Sequence, residues 1–185
     1  AVSHHPEFFQ AGLNNFTCTL ATSGKDLATV TAIASLVDGY TSLCQFLGTS
    51  NLAFPIVVFD QSDEALFAKN AAYLSTLQPC KILHISSQAA TTLAKKLKVE
   101  RLIQTHPNGS FGFGGARNCQ FLLSPVIGYA YRLGLDFNSM QDDELRRIFI
   151  QTVLGGSKNT PFGNFIFIVD DDMYIPPANF FSAAL

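Results

Sequence analysis

Apolar and polar positions fall in blocks along this chain, and the blocks alternate between strand-sized and helix-sized lengths. Residues 16–22 are β-branched and apolar and run into Ser23-Gly24, which predicts a buried strand followed by a turn. Asp26 is placed to cap the next element. There Leu27, Val30, Ala34, Val37, Cys44 and Leu47 recur at helical spacing until Gly48 stops them. Pro55 opens a second apolar run over 56–59 that ends at Asp60, and the polar elbow Gln61-Ser62-Asp63-Glu64 starts a helix marked by Leu66, Asn70, Tyr73 and Leu77. A third strand over 81–85 leads to a third helix carrying Ala90, Leu93, Ala94 and Leu97.

Beyond this point the rhythm loosens. A glycine-rich stretch, Ser110-Phe111-Gly112-Phe113-Gly114-Gly115-Ala116-Arg117-Asn118, precedes an apolar segment over 121–133 that Pro125 should kink or restart. Residues 139–153 predict another helix, with Asp142, Asp143 and Glu144 in the first turn where negative charge suits the helix dipole. A flexible loop over 155–159 and a last strand over 164–169 follow, and that strand runs straight into Asp170-Asp171-Asp172.

Strand–helix alternation with continuously apolar strands predicts an α/β domain, a mainly parallel, Rossmann-like sheet flanked by helices. Such sheets bind ligands beyond the carboxyl ends of their strands. The polar residues expected there are Thr22, Ser23, Asp60, Ser62, Asp63, Ser86 and Ser87.

Composition narrows the partners. With 48% apolar and 14% charged residues among 185, the chain suits one packed domain over 1–185, and its 17 Phe make large rings a main source of buried area. Net charge is −2 and the largest basic group is Lys95, Lys96 and Lys98, so the electrostatic footprint of a nucleic-acid partner is missing. Four cysteines at irregular spacing, with no CxxC pair, argue for small core residues rather than a zinc site. Sequons stand at Asn15 and Asn108. The apolar runs are strand-sized and no signal peptide is visible, which gives the expectation of a cytoplasmic chain without a transmembrane segment.

Three consecutive aspartates at the end of a buried strand repel one another unless something positive compensates them. A divalent cation with hard oxygen ligands, Mn²⁺ or Mg²⁺, does so and is often shared with substrate phosphates. In an extended chain Asp170 and Asp172 would share one face while Asp171 points elsewhere.

Ile168-Val169-Asp170-Asp171-Asp172 resembles the DxD motif of GT-A glycosyltransferases, especially the family 2-like inverting group. Leu20-Ala21-Thr22 stands where that group ends its first strand, residues 57–63 resemble its Val-Val-Asp-Asp-Gly-Ser run, and Gly115-Ala116-Arg117-Asn118 resembles its Gly-x-Ala-Arg-Asn loop. The resemblance covers residues 16–180 and implies a nucleotide-diphosphate sugar donor, with an acceptor that is a glycan, lipid or protein. It implies that Thr22 and Asp60 line the base and ribose pocket and that Arg117 approaches the diphosphate. It further implies that Asp170 meets the ribose or the metal's water shell and that Asp172 ligates the metal. Plainer readings stand beside these: Asp60 as a helix cap, the glycines as turn or packing residues, Arg117 as a surface ion pair.

Two departures from the family shape the expectation. The stretch between Asn118 and Asp170 is longer than the family's, so residues about 134–163 read as an inserted helix and loop. The family's acceptor half and general base follow its DxD motif at a distance this chain does not reach, giving the expectation of an incomplete GT-A fold or a partner chain. Two alternatives remain, a non-catalytic GT-A-like interaction domain and a sugar-nucleotide nucleotidyltransferase. For the second, Ser23-Gly24-Lys25 is a thin match to the glycine–arginine signature expected after the first strand.

Overall fold

A computed structural model of the protein describes residues 16–50, 52, 54–77, 80–107, 110–153 and 165–178. The elements are β1 (Phe16–Thr22), α1 (Thr31–Leu47), β2 (Ile56–Asp60), α2 (Glu64–Leu74), β3 (Ile82–Ser86), α3 (Ser87–Leu97), α4 (Glu100–Ile103), α5 (Gly112–Leu122), α6 (Ser124–Arg132), α7 (Asp142–Thr152) and β4 (Phe165–Asp170). A 3₁₀ turn, Leu27–Thr29, precedes α1.

Local chemistry sets most of these boundaries. Asp26 caps the 3₁₀ turn by accepting from Ala28 N, Asp63 caps α2 by accepting from Leu66 N, and Ser86 caps α3 by accepting from Ala89 N. Gly48 ends α1 in the left-handed conformation, φ 65°. Pro125 separates α5 from α6 and sits in the first turn of α6, where its missing N–H has no cost. The cap of α2 is therefore Asp63, which leaves Asp60 for another task.

All four strands are parallel, in the order β3-β2-β1-β4. Pairing aligns Thr22 with Asp60, Asp60 with Ser86, and Ala21 with Asp170, so the carboxyl ends of all four strands lie level. Strand order reverses between β1 and β4. β1 feeds β2 on one side and the chain returns much later to lay β4 on the other.

Strand alternation divides the interior into two cores. Phe16, Cys18 and Leu20 of β1, with Ile56 and Val58 of β2, pack against Ile33, Leu36, Tyr40 and Leu43 of α1. Val57 and Phe59 of β2 and Ile85 of β3 pack on the opposite face against Leu93 of α3, Cys119 of α5, Val126 and Ile127 of α6, and Leu145 and Ile148 of α7. The helix expected within an insertion at about 134–163 is thus a core element of that second layer; residues 154–164, with the predicted loop, lie outside the described residues.

The glycine-rich stretch departs from expectation. It is helical from Gly112 rather than a loop, and Gly112 and Gly115 serve packing. A Cβ on Gly115 would stand 1.9 Å from the Ile103 carbonyl oxygen, and one on Gly112, at φ 55°, would stand 2.2 Å from His106 Nε2. α4 and α5 approach this closely because no side chain separates them.

Candidate functional site at the carboxyl edge of the sheet

Alternation along the strands decides which way each polar end residue faces. Asp170 continues the face of Ile166 and Ile168, toward α5, whereas Thr22 and Asp60 continue the face of Leu20 and Val58, toward α1 and α2. The sequence-predicted residues therefore meet at one edge from opposite sides of the sheet.

On the α5 side Arg117 Nη2 donates to Asp170 Oδ1 at 2.5 Å, with both side chains a little under half exposed. Phe113, Arg117 and Phe121 are four residues apart on α5, so the arginine emerges between two exposed rings. Buried Gln120 on the same helix reaches under the edge and donates to Thr19 O (3.2 Å) and Val169 O (3.4 Å), tying β1 to β4.

The chain turns directly after Asp170, closed by Met173 N donating to Asp170 O (3.1 Å). The extended geometry expected for all three aspartates therefore ends at the first. Asp171, the first residue of that turn, points to the other side. It accepts from Thr22 Oγ1 (3.0 Å) and from Lys25 Nζ (2.8 Å), across the point where strand order reverses. That hydrogen bond raises the Lys25 pKa against the opposing effect of desolvation, and the charges of Asp171 and Asp172 add to the rise. Asp172 is exposed. The compensation that three clustered aspartates need is thus partly internal, from Arg117 and Lys25.

Asp60 lies deeper. Its side chain is fully buried, and its carboxylate accepts four hydrogen bonds: Ser62 N (3.0 Å) and Ser62 Oγ (2.6 Å) on Oδ1, Asn70 Nδ2 (2.8 Å) and His84 Nε2 (2.9 Å) on Oδ2. Burial acts to raise its pKa, but the bonds from His84, Ser62 and Asn70 outweigh it and hold the carboxyl below its ordinary value. A carboxylate only accepts, so His84 carries its proton on Nε2. His84 stacks on Phe67 at 3.9 Å with a 10° tilt, and its Nδ1 has no hydrogen-bond partner among the described residues.

Of the residues foreseen for the site, Thr22, Arg117, Asp170 and Asp172 stand together at the β1–β4 junction, while Asp60 lies alongside with its acceptor positions filled. Lys25, Asn70, Gln120 and His84 were not foreseen for the site. The available signal was a polar residue in an apolar place: His84 interrupts an apolar strand, and Asn70 sits on the inward stripe of α2. A cavity of about 380 Å³ opens elsewhere, beside β3, lined in part by Leu83, Ile127, Tyr131 and Phe137; it shares His84 with the Asp60 network.

Fold and site together define a three-layer α/β protein whose charged and hydroxyl side chains converge where the strand order of a parallel sheet reverses, the position at which such sheets bind ligands. No protein-family model matches the chain, and no curated protein matches it in sequence. Among the described residues no helix is long and apolar enough to cross a membrane.

Proposed function

We propose that this chain is the donor-binding domain of a metal-dependent glycosyltransferase that transfers a sugar from a nucleotide-diphosphate sugar to a hydroxyl-bearing acceptor. The observation that carries the reading is the level alignment of Thr22, Asp60 and Asp170 at one sheet edge, with Arg117 at Asp170. In this reading the nucleoside lies over the ends of β1 and β2 and the diphosphate lies toward β4. The Arg117 fork suits phosphate oxygens. Asp60 shapes the wall of the base pocket from beneath, and a direct bond from a base would have to replace one of its four donors.

Among the described residues no three His, Cys, Asp or Glu side chains converge as a metal site, so an Mn²⁺ or Mg²⁺ ion would need oxygens of the donor to complete its ligands. Asp170 and Asp172 are hard oxygen ligands at an accessible edge, and an incoming diphosphate adds negative charge that Arg117 and Lys25 do not balance alone. Asp172 and Asp170 would hold the ion, which when bound neutralises the departing nucleotide diphosphate. Arg117 is paired with Asp170 and would orient the phosphates, while Thr22, whose hydroxyl donates to Asp171, would hold that carboxylate in place beneath the donor.

Calorimetric titration of a nucleoside-diphosphate panel, with and without Mn²⁺, tests this on the wild type and on Asp172→Ala. The expected outcome is metal-dependent binding of one nucleotide, weakened at least about tenfold by the substitution, as for loss of one charged contact. A folded wild type that binds no member of the panel overturns the reading. The pairing of Asp170 with Arg117 favours a second reading, a non-catalytic domain that kept the fold. Donor hydrolysis by the wild type would exclude it.

A further inference from the structure

The loop between β1 and the 3₁₀ turn carries a cation to which neither the aspartate cluster nor the family resemblance gave a role. Lys25 reaches Asp171 across the β1–β4 junction, and its side chain is 50% exposed. Its backbone is held with unusual completeness. Asn70 Nδ2 donates to Lys25 O (3.0 Å) and to Asp60 (2.8 Å), and Asn70 Oδ1 accepts from Leu27 N (2.9 Å). One buried amide thus fixes the loop at two points, and Asp60 fixes the amide. Gly24, at φ 62° with open space where a Cβ would be, turns the chain so that the lysine follows directly on the strand end.

A flexible four-carbon arm on a fixed loop is suited to exchange one anion for another. The three aspartates are not equivalent for that exchange. Asp171 is the inward one, 17% exposed and bonded to Thr22 as well as Lys25, whereas Asp170 is 46% exposed and Asp172 is exposed. If Lys25 leaves, the Thr22 hydroxyl still donates to Asp171, so the carboxylate keeps a partner.

We propose that Lys25 is a phosphate-binding residue of the donor site, carried on a loop locked by Asp60 through Asn70, and that Asp171 is its resting partner rather than a metal ligand. This rests on the donor-site reading above. The ammonium passes from the carboxylate to a diphosphate oxygen, and no covalent bond changes.

The test compares Lys25→Met with wild type in calorimetric titration, using the nucleoside diphosphate that binds best and the matching nucleoside without phosphate. The expected result is about tenfold weaker diphosphate binding with nucleoside binding unchanged, and a shallower salt dependence. Lys25→Arg should restore most of the affinity. Asp171→Asn should keep metal dependence and tighten diphosphate binding several-fold, because it releases the lysine, while Asp172→Asn loses metal dependence. Equal diphosphate affinity in Lys25→Met and wild type overturns the assignment of Lys25 and leaves the donor site standing. Loss of metal dependence in Asp171→Asn overturns the role of Asp171. A wild type that binds no nucleoside diphosphate overturns both this inference and the donor-site reading.

Discussion

Asp60 shows how much a single buried carboxylate can organise. Its four hydrogen bonds join β2, α2 and β3, and through Asn70 they reach the loop that carries Lys25. Replacing it by Asn presents an N–H₂ group to donors that need an acceptor, so Asp60→Asn should cost roughly 2–4 kcal/mol in denaturant unfolding. The pH dependence has a definite sign. Because the folded-state pKa is depressed, the stabilisation is fully present above the unfolded-state value of about 3.9 and is lost as pH falls through the lower folded value. Stability curves measured from neutral pH into that acid range should therefore fall less steeply in Asp60→Asn than in wild type. Equal slopes would show that folding does not depress the Asp60 pKa.

Among the elements, α5 is where local preference and tertiary demand part most clearly. Glycines weaken a helix, yet this one begins Gly-Phe-Gly-Gly. Its neighbours explain two of the three. Gly115 faces the Ile103 carbonyl and Gly112 faces His106, whereas the nearest atom to a Cβ on Gly114 is Thr105 Cγ2 at 4.0 Å. The two alanine variants should therefore differ in sign. Gly114→Ala should stabilise by about 0.5–1 kcal/mol through helix propensity, and Gly115→Ala should destabilise by about 2–4 kcal/mol because backbone must move. Thermal or denaturant melts of both variants check this. A stable Gly115→Ala would mean that α4 can shift freely, and with it the start of the helix that presents Arg117.

For the molecule as a whole, two cores on either side of one sheet hold the carboxyl edge rigid. All four cysteines belong to them: Cys18, Cys44 and Cys80 to the α1 side and Cys119 to the α5–α7 side. Burial raises every one of these thiols, Cys80 and Cys119 to about 12. Only thiolates react readily, so Ellman's reagent at neutral pH should label the native chain slowly. All four should become reactive together when denaturant unfolds it, and rapid labelling of any in native buffer would show that its core opens. The same cores explain why an edge with so many charges can persist. The central strands β1 and β2 beneath it are buried on both faces, so their ends are not free to spread apart.

The alternation of apolar blocks, the cap at Asp26, the polar elbow that starts α2, the stop at Gly48 and the break at Pro125 were legible without coordinates, whereas the cap of α2 was assigned to Asp60 and belongs to Asp63. Each legible feature depends on contacts within a few residues, and those are written in the order of the chain. For the same reason the parallel sheet was legible, and with it the edge where Thr22, Asp60 and Asp170 align. Only the fold decided what these residues touch. Lys25 and Asp171 are separated by 146 positions, Arg117 and Asp170 by 53, and Asn70 and Lys25 by 45. No local pattern encodes such pairs. They arise because the turn after β4 sends Asp170 and Asp171 to opposite sides, and because the crossover connections bring α5 over one face of the sheet and α2 over the other.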